Sequence, residues 1–245
     1  MGSVRILNVR VDDVTMEETL ALVGRMVQDG GAHQIVTVNP EFIMRANREP
    51  EFAEVLERAD LAIPDGQGLL WAARMLRQPL RTRVAGSDLV PLLAERSARD
   101  EFSLYLLGAA EGVADTTARV LAQRYPGVRI VGTNSGSPRP EDDEASSALI
   151  AAARPVVLLV AYGAPAQDLW IARNQPHLRV PVAVGVGGSF DFIAGVQKRA
   201  PAWMRRHGIE WLYRLIRQPS RWRRMLALPA FAWRVLVLRL QGRDE

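Results

Sequence analysis

Residues 156–160 read Val-Val-Leu-Leu-Val, and residues 162–167 continue as Tyr-Gly-Ala-Pro-Ala-Gln. The first stretch is apolar without interruption, which is typical of a strand that is covered on both faces of a parallel sheet. A glycine-containing turn follows it, as at the carboxyl end of a strand in an open α/β sheet. This stretch therefore predicts an α/β fold.

Five further apolar runs of three or four residues occur along the chain, at 35–38, 61–63, 104–107, 128–131 and 182–184. Helical patterns separate them: Thr15 and Glu18 form a capping box that predicts a helix to about Val27. Similar spacing predicts helices over 111–124 and 141–153. We expect residues 1–195 to form one Rossmann-like catalytic domain, a mostly parallel sheet with helices on both faces.

The composition narrows the possible chemistry. The chain has 245 residues, 48% hydrophobic and 24% charged, which excludes a disordered protein. Cysteine is absent, which excludes disulfides, a catalytic thiol, thiolate zinc sites and iron–sulfur clusters. The three histidines, His33, His177 and His207, lie far apart in sequence. We therefore expect no metal site and no cofactor.

The charge is distributed unevenly. Residues 198–245 hold twelve of the 31 basic residues and three of the 27 acidic ones, a net charge of +9 that leaves −5 for the rest. The same segment contains four of the six tryptophans: Trp203, Trp211, Trp222 and Trp233. Residues 196–245 are therefore expected to form a basic, Trp-rich helical appendage that suits a membrane interface or a nucleic-acid surface.

Four arginines of this appendage, Arg214, Arg217, Arg221 and Arg224, fall on one narrow arc of an ideal helix. They predict contact with a phosphate or an anionic head group, the alternative being an ordinary solvated face. The stretch 225–240 is interrupted by a proline and two arginines and is shorter than the roughly 20 residues of a spanning helix. We expect it to lie on a bilayer without crossing it. The first residues lack the apolar core of a signal peptide, so we expect a cytoplasmic protein.

Polar residues and glycines follow five of the strands, where ligands bind in open parallel sheets. Asp65, between Pro64 and Gly66, is placed as a general base would be. The alternative is an Asp-Gly turn whose side chain only caps the next helix. Thr37 and Asn39 could bind a sugar hydroxyl or cap the helix that begins near Pro40.

Several common nucleotide-binding patterns are missing from the sequence. There is no GxGxxG fingerprint, no GxxxxGK[ST] loop and no Asp-x-Asp triplet. The Gly-Val-Gly-Gly segment at 185–188 only permits a close backbone approach to a pyrophosphate. The charge of a leaving diphosphate would therefore be met by helix N-termini and by arginines, namely Arg83 and those of the tail.

Several blocks together resemble one family of bacterial enzymes, the WecG/TagA/CpsF glycosyltransferases (glycosyltransferase family 26). They are residues 37–40 (TVNP), 59–66 (ADLAIPDG), 83–89 (RVAGSDL), 163–170 (GAPAQDLW), 185–192 (GVGGSFDF), 199–201 (RAP) and 210–215 (EWLYRL). The blocks follow the family's order over about residues 33–225. One departure is Asp168, which stands where the family usually has glutamate.

The resemblance implies an inverting transferase without an obligatory metal, acting at the cytoplasmic face of the membrane. The donor would be a UDP-sugar and the acceptor a polyprenyl-diphosphate-linked sugar. The resemblance makes Asp65 the catalytic base. It assigns the remaining site residues as follows: Thr37, Asn39, Arg83 and Gln167 at the sugar and diphosphate; Gly108, Gly163, Gly187, Gly188 and Asp191 at the nucleotide; and Arg214, Arg221 and Arg224 at the diphosphate and membrane.

Some alternatives stay open at this point. N-acetylmannosamine is the expected donor sugar, with glucose or N-acetylmannosaminuronate as alternatives, and N-acetylglucosamine is the expected acceptor sugar. A different class of function is a non-catalytic protein that binds a UDP-sugar or a lipid diphosphate. A nucleic-acid-binding module rests on the basic tail alone, and we expect no nucleic-acid partner. An exposed apolar face would favour a homo-oligomer.

Overall fold

The computed structural model describes residues 2–219 and 222–241. A six-stranded sheet with helices on both faces forms the body, and a separate two-stranded hairpin lies beside it. The strands are β1 Ser3–Ile6, β2 Val9–Asp12, β3 His33–Val38, β4 Leu61–Pro64, β5 Ser103–Gly108, β6 Arg129–Asn134, β7 Val157–Ala161 and β8 Val182–Gly185. The helices are α1 Met16–Asp29, α2 Pro40–Ala46, α3 Pro50–Arg58, α4 Gln67–Met75, α5 Gly86–Asp100, α6 Val113–Arg124, α7 Asp143–Ala153, α8 Ala166–Leu178, α9 Ser189–Ile193, α10 Ala202–Arg206, α11 Glu210–Arg217, α12 Trp222–Met225 and α13 Ala227–Leu240.

The six strands of the main sheet run parallel in the order β4-β3-β8-β7-β5-β6. This confirms the predicted α/β architecture and all six apolar runs. Because the strands are parallel, their carboxyl ends lie along one edge of the sheet, where ligands bind in such folds.

Alternate residues of each strand point into different cores. Leu104 and Leu106 of β5 pack into one apolar cluster with α1, α5 and α6, whereas Leu107 packs into another with α7 and α8. A third cluster lies under α2, α3 and α4. The two-residue period places a core on each face of the sheet, which explains why β4, β5, β7 and β8 are buried along their whole length, whereas the edge strand β6 is partly exposed.

The predicted helices are present, with corrected starts. The Thr15 hydroxyl accepts from the amide of Glu18 at 3.2 Å, and the Glu18 carboxylate accepts from the Thr15 amide at 2.9 Å, so the capping box is confirmed. The helix expected from residue 111 begins at Val113 because Gly112, at φ +74°, precedes it. The helix expected from 141 begins at Asp143, after a short 3₁₀ turn over Pro140–Asp142.

The sequence did not predict the amino-terminal hairpin of β1 and β2. Its turn, Leu7-Asn8, has φ of +48° and +69° and joins two antiparallel strands. Strand β2 ends in Asp12, whose charge makes the sequence pattern polar. Asp12 is nevertheless only 2% exposed and accepts a 2.8 Å hydrogen bond from the Ala62 amide. This bond attaches the hairpin to β4.

Helix α13 has two apolar faces. Phe231 and Val235 are buried against α2 and α4. On the opposite side, about 180° around the helix, Trp233, Leu236 and Leu240 are exposed. The inner face of α13 therefore packs on the body of the protein. No helix in the described ranges, 2–219 and 222–241, is long and apolar enough to cross a membrane.

Candidate functional site

Asp65 lies at the sheet edge where β4 ends. Its amide donates to the carbonyl of Val38 at 2.7 Å, and its carboxylate Oδ2 accepts from the Gly86 amide at 3.2 Å. Gly86 begins α5, a helix of 15 residues, so the positive end of the helix dipole faces this carboxylate. Asp65 thus contacts the start of α5.

Asp65 and Arg83 line one cavity of about 160 Å³. Asn39 and Glu41, after β3, form a second wall. The third wall comes from the carboxyl-terminal part of the chain: Gly208, Glu210, Trp211, Met225 and Leu228. The cavity therefore joins two strand ends to the predicted appendage.

The two polar residues after β3 have different positions. Asn39 caps α2, with its Oδ1 accepting from the Phe42 amide at 3.1 Å, so the capping interpretation is confirmed while the residue also lines the cavity. Thr37 is 5% exposed, and its hydroxyl donates to the Gly185 carbonyl at 3.0 Å. Thr37 therefore connects β3 to β8 beneath the edge.

Gln167 connects two glycine turns. Its side chain is buried, and Oε1 accepts from the Gly163 amide at 3.1 Å and from the Gly187 amide at 2.8 Å. A Cβ on Gly185 would lie 2.5 Å from Gln167 Nε2, so this glycine makes room for the amide. One side chain thereby fixes the loops after β7 and β8 relative to each other.

The other predicted nucleotide residues lie along the same edge. Gly108, at φ +101°, ends β5 so close to β7 that a Cβ would lie 2.9 Å from the backbone of Ala161. A Cβ on Gly188 would lie 3.5 Å from the carboxylate of Asp191 in the first turn of α9. These glycines lie outside the lining of the Asp65 cavity, so the edge offers two adjacent regions.

A cluster of charges flanks the cavity. Asp88 forms a bidentate pair with Arg199 at 2.6 and 2.9 Å, and it lies 4.0 Å from both Arg83 and Arg205. Burial raises the pKa of Asp88, but these arginines outweigh burial and hold it below its usual value. Arg83 also lies 3.6 Å from Glu210. The three guanidinium groups outnumber the two carboxylates, so the cluster has a net positive charge and can bind an anionic group.

Sequence reasoning selected Arg83 from this cluster and missed Arg199, Arg205, Asp88 and Glu210. Asp88, Arg199 and Glu210 stand in the resembling blocks, but no spacing rule connects blocks that lie more than 100 residues apart. Of the three tail arginines, Arg224 pairs with Glu41 at 2.9 Å, next to the cavity. Arg221 and the side chain of Arg214 lie outside the described residues.

Asp168, beside Gln167, is fully buried between α8 and the sheet. Within the described part of the chain its carboxyl oxygens have no well-aligned hydrogen-bond partner. Burial raises the pKa of Asp168 to about 8, and nearby polar groups such as Gln167 offset this only in part. Burial therefore favours the protonated carboxyl group in the folded chain.

This burial predicts a pH dependence of stability. Between about pH 4 and pH 8 the folded chain keeps the Asp168 proton that the unfolded chain releases, so stability falls as pH rises, by at most about 1.4 kcal/mol per pH unit. Asp168→Asn removes this contribution and is expected to stabilise the chain more at pH 8 than at pH 5. Urea unfolding at both values measures the effect. Asp115→Asn, on an exposed position of α6, should keep the wild-type slope, and an equal slope in both variants would contradict the assignment.

The site is thus a carboxylate beside a guanidinium cluster, with a glycine-lined edge next to it. Among the residues that the structure describes, no group of three or more His, Asp or Glu side chains forms a potential metal site. A model of the WecG/TagA/CpsF glycosyl transferase family matches residues 4–245. The chain belongs to this family. Asp65, Arg83 and Gln167 lie within the matched region.

Three similar proteins share the name N-acetylglucosaminyldiphosphoundecaprenol N-acetyl-beta-D-mannosaminyltransferase. The protein from Bacillus spizizenii is 37% identical, over 85% of this chain and 80% of the relative. That from Bacillus subtilis is 35% identical, over 82% and 78%. That from Staphylococcus aureus is 30% identical, over 96% and 92%. The similarity therefore extends over most of both chains.

Proposed function

We propose that this chain transfers N-acetylmannosamine from its UDP derivative to N-acetylglucosamine on a polyprenyl diphosphate. The observation that carries the proposal is the position of Asp65, which lines one cavity with Arg83, while Asp88 brings Arg199 and Arg205 close to Arg83. The names of the family relatives supply the donor and acceptor classes. Such a reaction serves the synthesis of a cell-wall or surface polymer.

The proposed reaction is a single displacement. The acceptor hydroxyl attacks the anomeric carbon of the donor as Asp65 takes the hydroxyl proton. The bond between the anomeric carbon and the diphosphate oxygen breaks, UDP departs, and the configuration at this carbon inverts. Asp65 suits the role because the Gly86 amide fixes its Oδ2 and leaves the carboxylate at the cavity wall.

The leaving diphosphate needs positive charge, which Arg83, Arg199 and Arg205 provide without a metal ion. Asn39 would bind a sugar hydroxyl from the opposite wall, and Thr37 and Gln167 would hold the strand ends in position. The turns at Gly108, Gly163, Gly187 and Gly188, with Asp191, would surround the nucleotide. Arg214, Arg221 and Arg224 are proposed to close over a diphosphate.

The donor sugar is tested by incubating the full chain with several UDP-sugars and a polyprenyl-diphosphate N-acetylglucosamine acceptor. Mass spectrometry of the acceptor should show the addition of one N-acetylhexosamine from UDP-N-acetylmannosamine. Addition of glucose or of a uronic acid would assign another donor. No addition with any donor, together with measurable UDP binding, would favour a non-catalytic binding protein.

We further propose that the protein is peripheral to the inner face of the cytoplasmic membrane. The outer face of α13, with Trp233 66% and Leu240 77% exposed, is apolar and carries Arg234 and Arg239 at its borders. A helix that packs on the protein with one face and presents tryptophan and leucine on the other suits a lipid surface. The same face would support association into a homo-oligomer in the absence of lipid.

The membrane proposal predicts that the double variant Trp233→Glu/Leu240→Glu no longer co-sediments with anionic vesicles. Charge on the outer face opposes insertion, whereas the buried inner residues Phe231 and Val235 remain intact, so the thermal unfolding midpoint should stay near that of the wild type. Leu149→Glu, at an exposed position of α7, is the matched control and should still co-sediment. Retained binding by the double variant would place the membrane contact elsewhere.

A further inference from the structure

A second, larger depression adjoins the Asp65 cavity. This groove, of about 730 Å³, runs between α4 and the segment from α11 to α13. Trp71, Trp211 and Trp222 line it together with leucine, methionine and proline side chains. Among the described residues that line it there is no carboxylate, lysine or arginine, so the groove is suited to a hydrocarbon ligand.

The groove and the cavity share a wall. Pro40, Gly68, Trp211 and Leu228 contact both spaces. A molecule that places a polar group at Asp65 can therefore extend directly into the apolar groove. The carboxylate, the guanidinium cluster and the groove occur on one continuous surface.

From this arrangement we infer that the groove binds the first isoprene units of the acceptor's polyprenyl chain. The inference rests on the proposed function, in which the acceptor carries a sugar, a diphosphate and a prenyl chain in that order. The site offers the complementary groups: Asp65 for the sugar hydroxyl, Arg224 beside Glu41 for the acceptor's diphosphate, and the tryptophans for the hydrocarbon. The lipid acceptor is thereby recognised by its chain as well as by its head group.

Exposure of the aromatic rings supports this assignment. Trp71 is 42% exposed and Trp222 is 53% exposed, although both are large apolar side chains on opposite sides of one groove. Burial of such surface by a prenyl chain is favourable in proportion to the apolar area removed from water. A bound chain would also hold α12 against α4, next to the ion pair of Arg224 with Glu41.

Binding of two soluble probes to the full chain tests the inference without requiring catalysis. Isothermal titration calorimetry compares farnesyl diphosphate, which has a prenyl chain, with inorganic diphosphate, which has none. We expect the wild type to bind farnesyl diphosphate at least tenfold more tightly. Trp71→Ala and Trp222→Ala should each weaken farnesyl diphosphate binding at least fivefold.

Leu149→Ala is the control, because it truncates an exposed apolar side chain of α7 that lies outside the groove. It should keep the wild-type preference for the prenyl probe. Equal affinity of the wild type for both probes would overturn the inference, as would equal effects of all three substitutions. A change of sedimentation coefficient in Trp71→Ala without a change in farnesyl diphosphate affinity would instead assign the groove to contact between copies of the chain.

The outcome is separable from that of the proposed function. If the wild type transfers sugar but shows no preference for the prenyl probe, prenyl binding by the groove is refuted and the transferase activity stands. Preference for the prenyl probe without any sugar transfer would refute the transferase activity and leave the groove as a lipid-diphosphate site.

Discussion

Replacement of Asp65 with Asn is expected to lower the rate of sugar transfer by about 10²–10⁴-fold, the usual contribution of a general base. The amide has the shape of the carboxylate and can still accept the hydrogen bond from the Gly86 amide. It cannot take a proton from the acceptor hydroxyl. The loss should therefore appear in kcat under saturating donor and acceptor.

Two measurements separate this loss from a structural defect. UDP affinity of Asp65→Asn should equal that of the wild type, because the glycine turns proposed to bind the nucleotide lie outside the lining of the Asp65 cavity. Asp60→Asn, just before the other end of β4, is the matched substitution and should retain turnover. Near-normal turnover of Asp65→Asn would exclude Asp65 as the base.

Replacement of Gln167 with Met has the second largest expected effect. Methionine fills a similar volume but cannot accept the hydrogen bonds from the Gly163 and Gly187 amides. Two donors that lose their partner cost about 2–4 kcal/mol of stability. Because the loops after β7 and β8 are then released, UDP affinity should fall as well. Urea unfolding and titration with UDP measure the two effects.

Gln34→Met supplies the control. Gln34 is 8% exposed and donates to the Asp168 carbonyl, so its loss also removes a buried hydrogen bond to α8. It does not contact the glycine turns. We expect lower stability with unchanged UDP affinity, and an equal fall of UDP affinity in both variants would show that Gln167 has no special role at the loops.

The main sheet could be predicted from sequence because its strands carry their own signal. The runs at 61–63, 104–107, 156–160 and 182–184 are apolar without interruption, and glycine, proline or a polar residue stands within three residues after each. The helix after Thr15 is equally predictable from sequence, because a capping box specifies its first turn locally. These features depend on neighbours in the sequence.

The hairpin and the placement of α13 depend on tertiary contacts and could not be predicted in this way. Asp12 is polar, yet it is buried because the Ala62 amide, 50 residues away, donates to it. The apolar stretch of α13 predicts a helix that lies on a bilayer but does not predict its contacts with the body. Its inner face packs on α2 and α4, and its outer face is exposed.

In the candidate site, too, some residues have a local sequence signal and others are brought together only by tertiary contacts. Asp65, Asn39 and Arg83 follow or lie near strand ends, so they could be selected from the fold pattern, and the structure brings them to one cavity. Asp88 and Arg199 stand in the resembling blocks, but neither follows a strand end, and Arg205 lies outside the blocks. They meet only because the segment after β8 returns across the start of α5. The division of the chain at residue 195 stays a prediction.

The central claim is that Asp65 and the neighbouring arginines transfer N-acetylmannosamine without a metal ion. The most direct test is acceptor-dependent release of UDP from UDP-N-acetylmannosamine in excess EDTA, for the wild type and for Asp65→Asn. We predict release by the wild type only when the polyprenyl-diphosphate N-acetylglucosamine acceptor is present, and loss of this release in the variant. Release that requires an added divalent metal, or that persists in Asp65→Asn, would contradict the proposed mechanism.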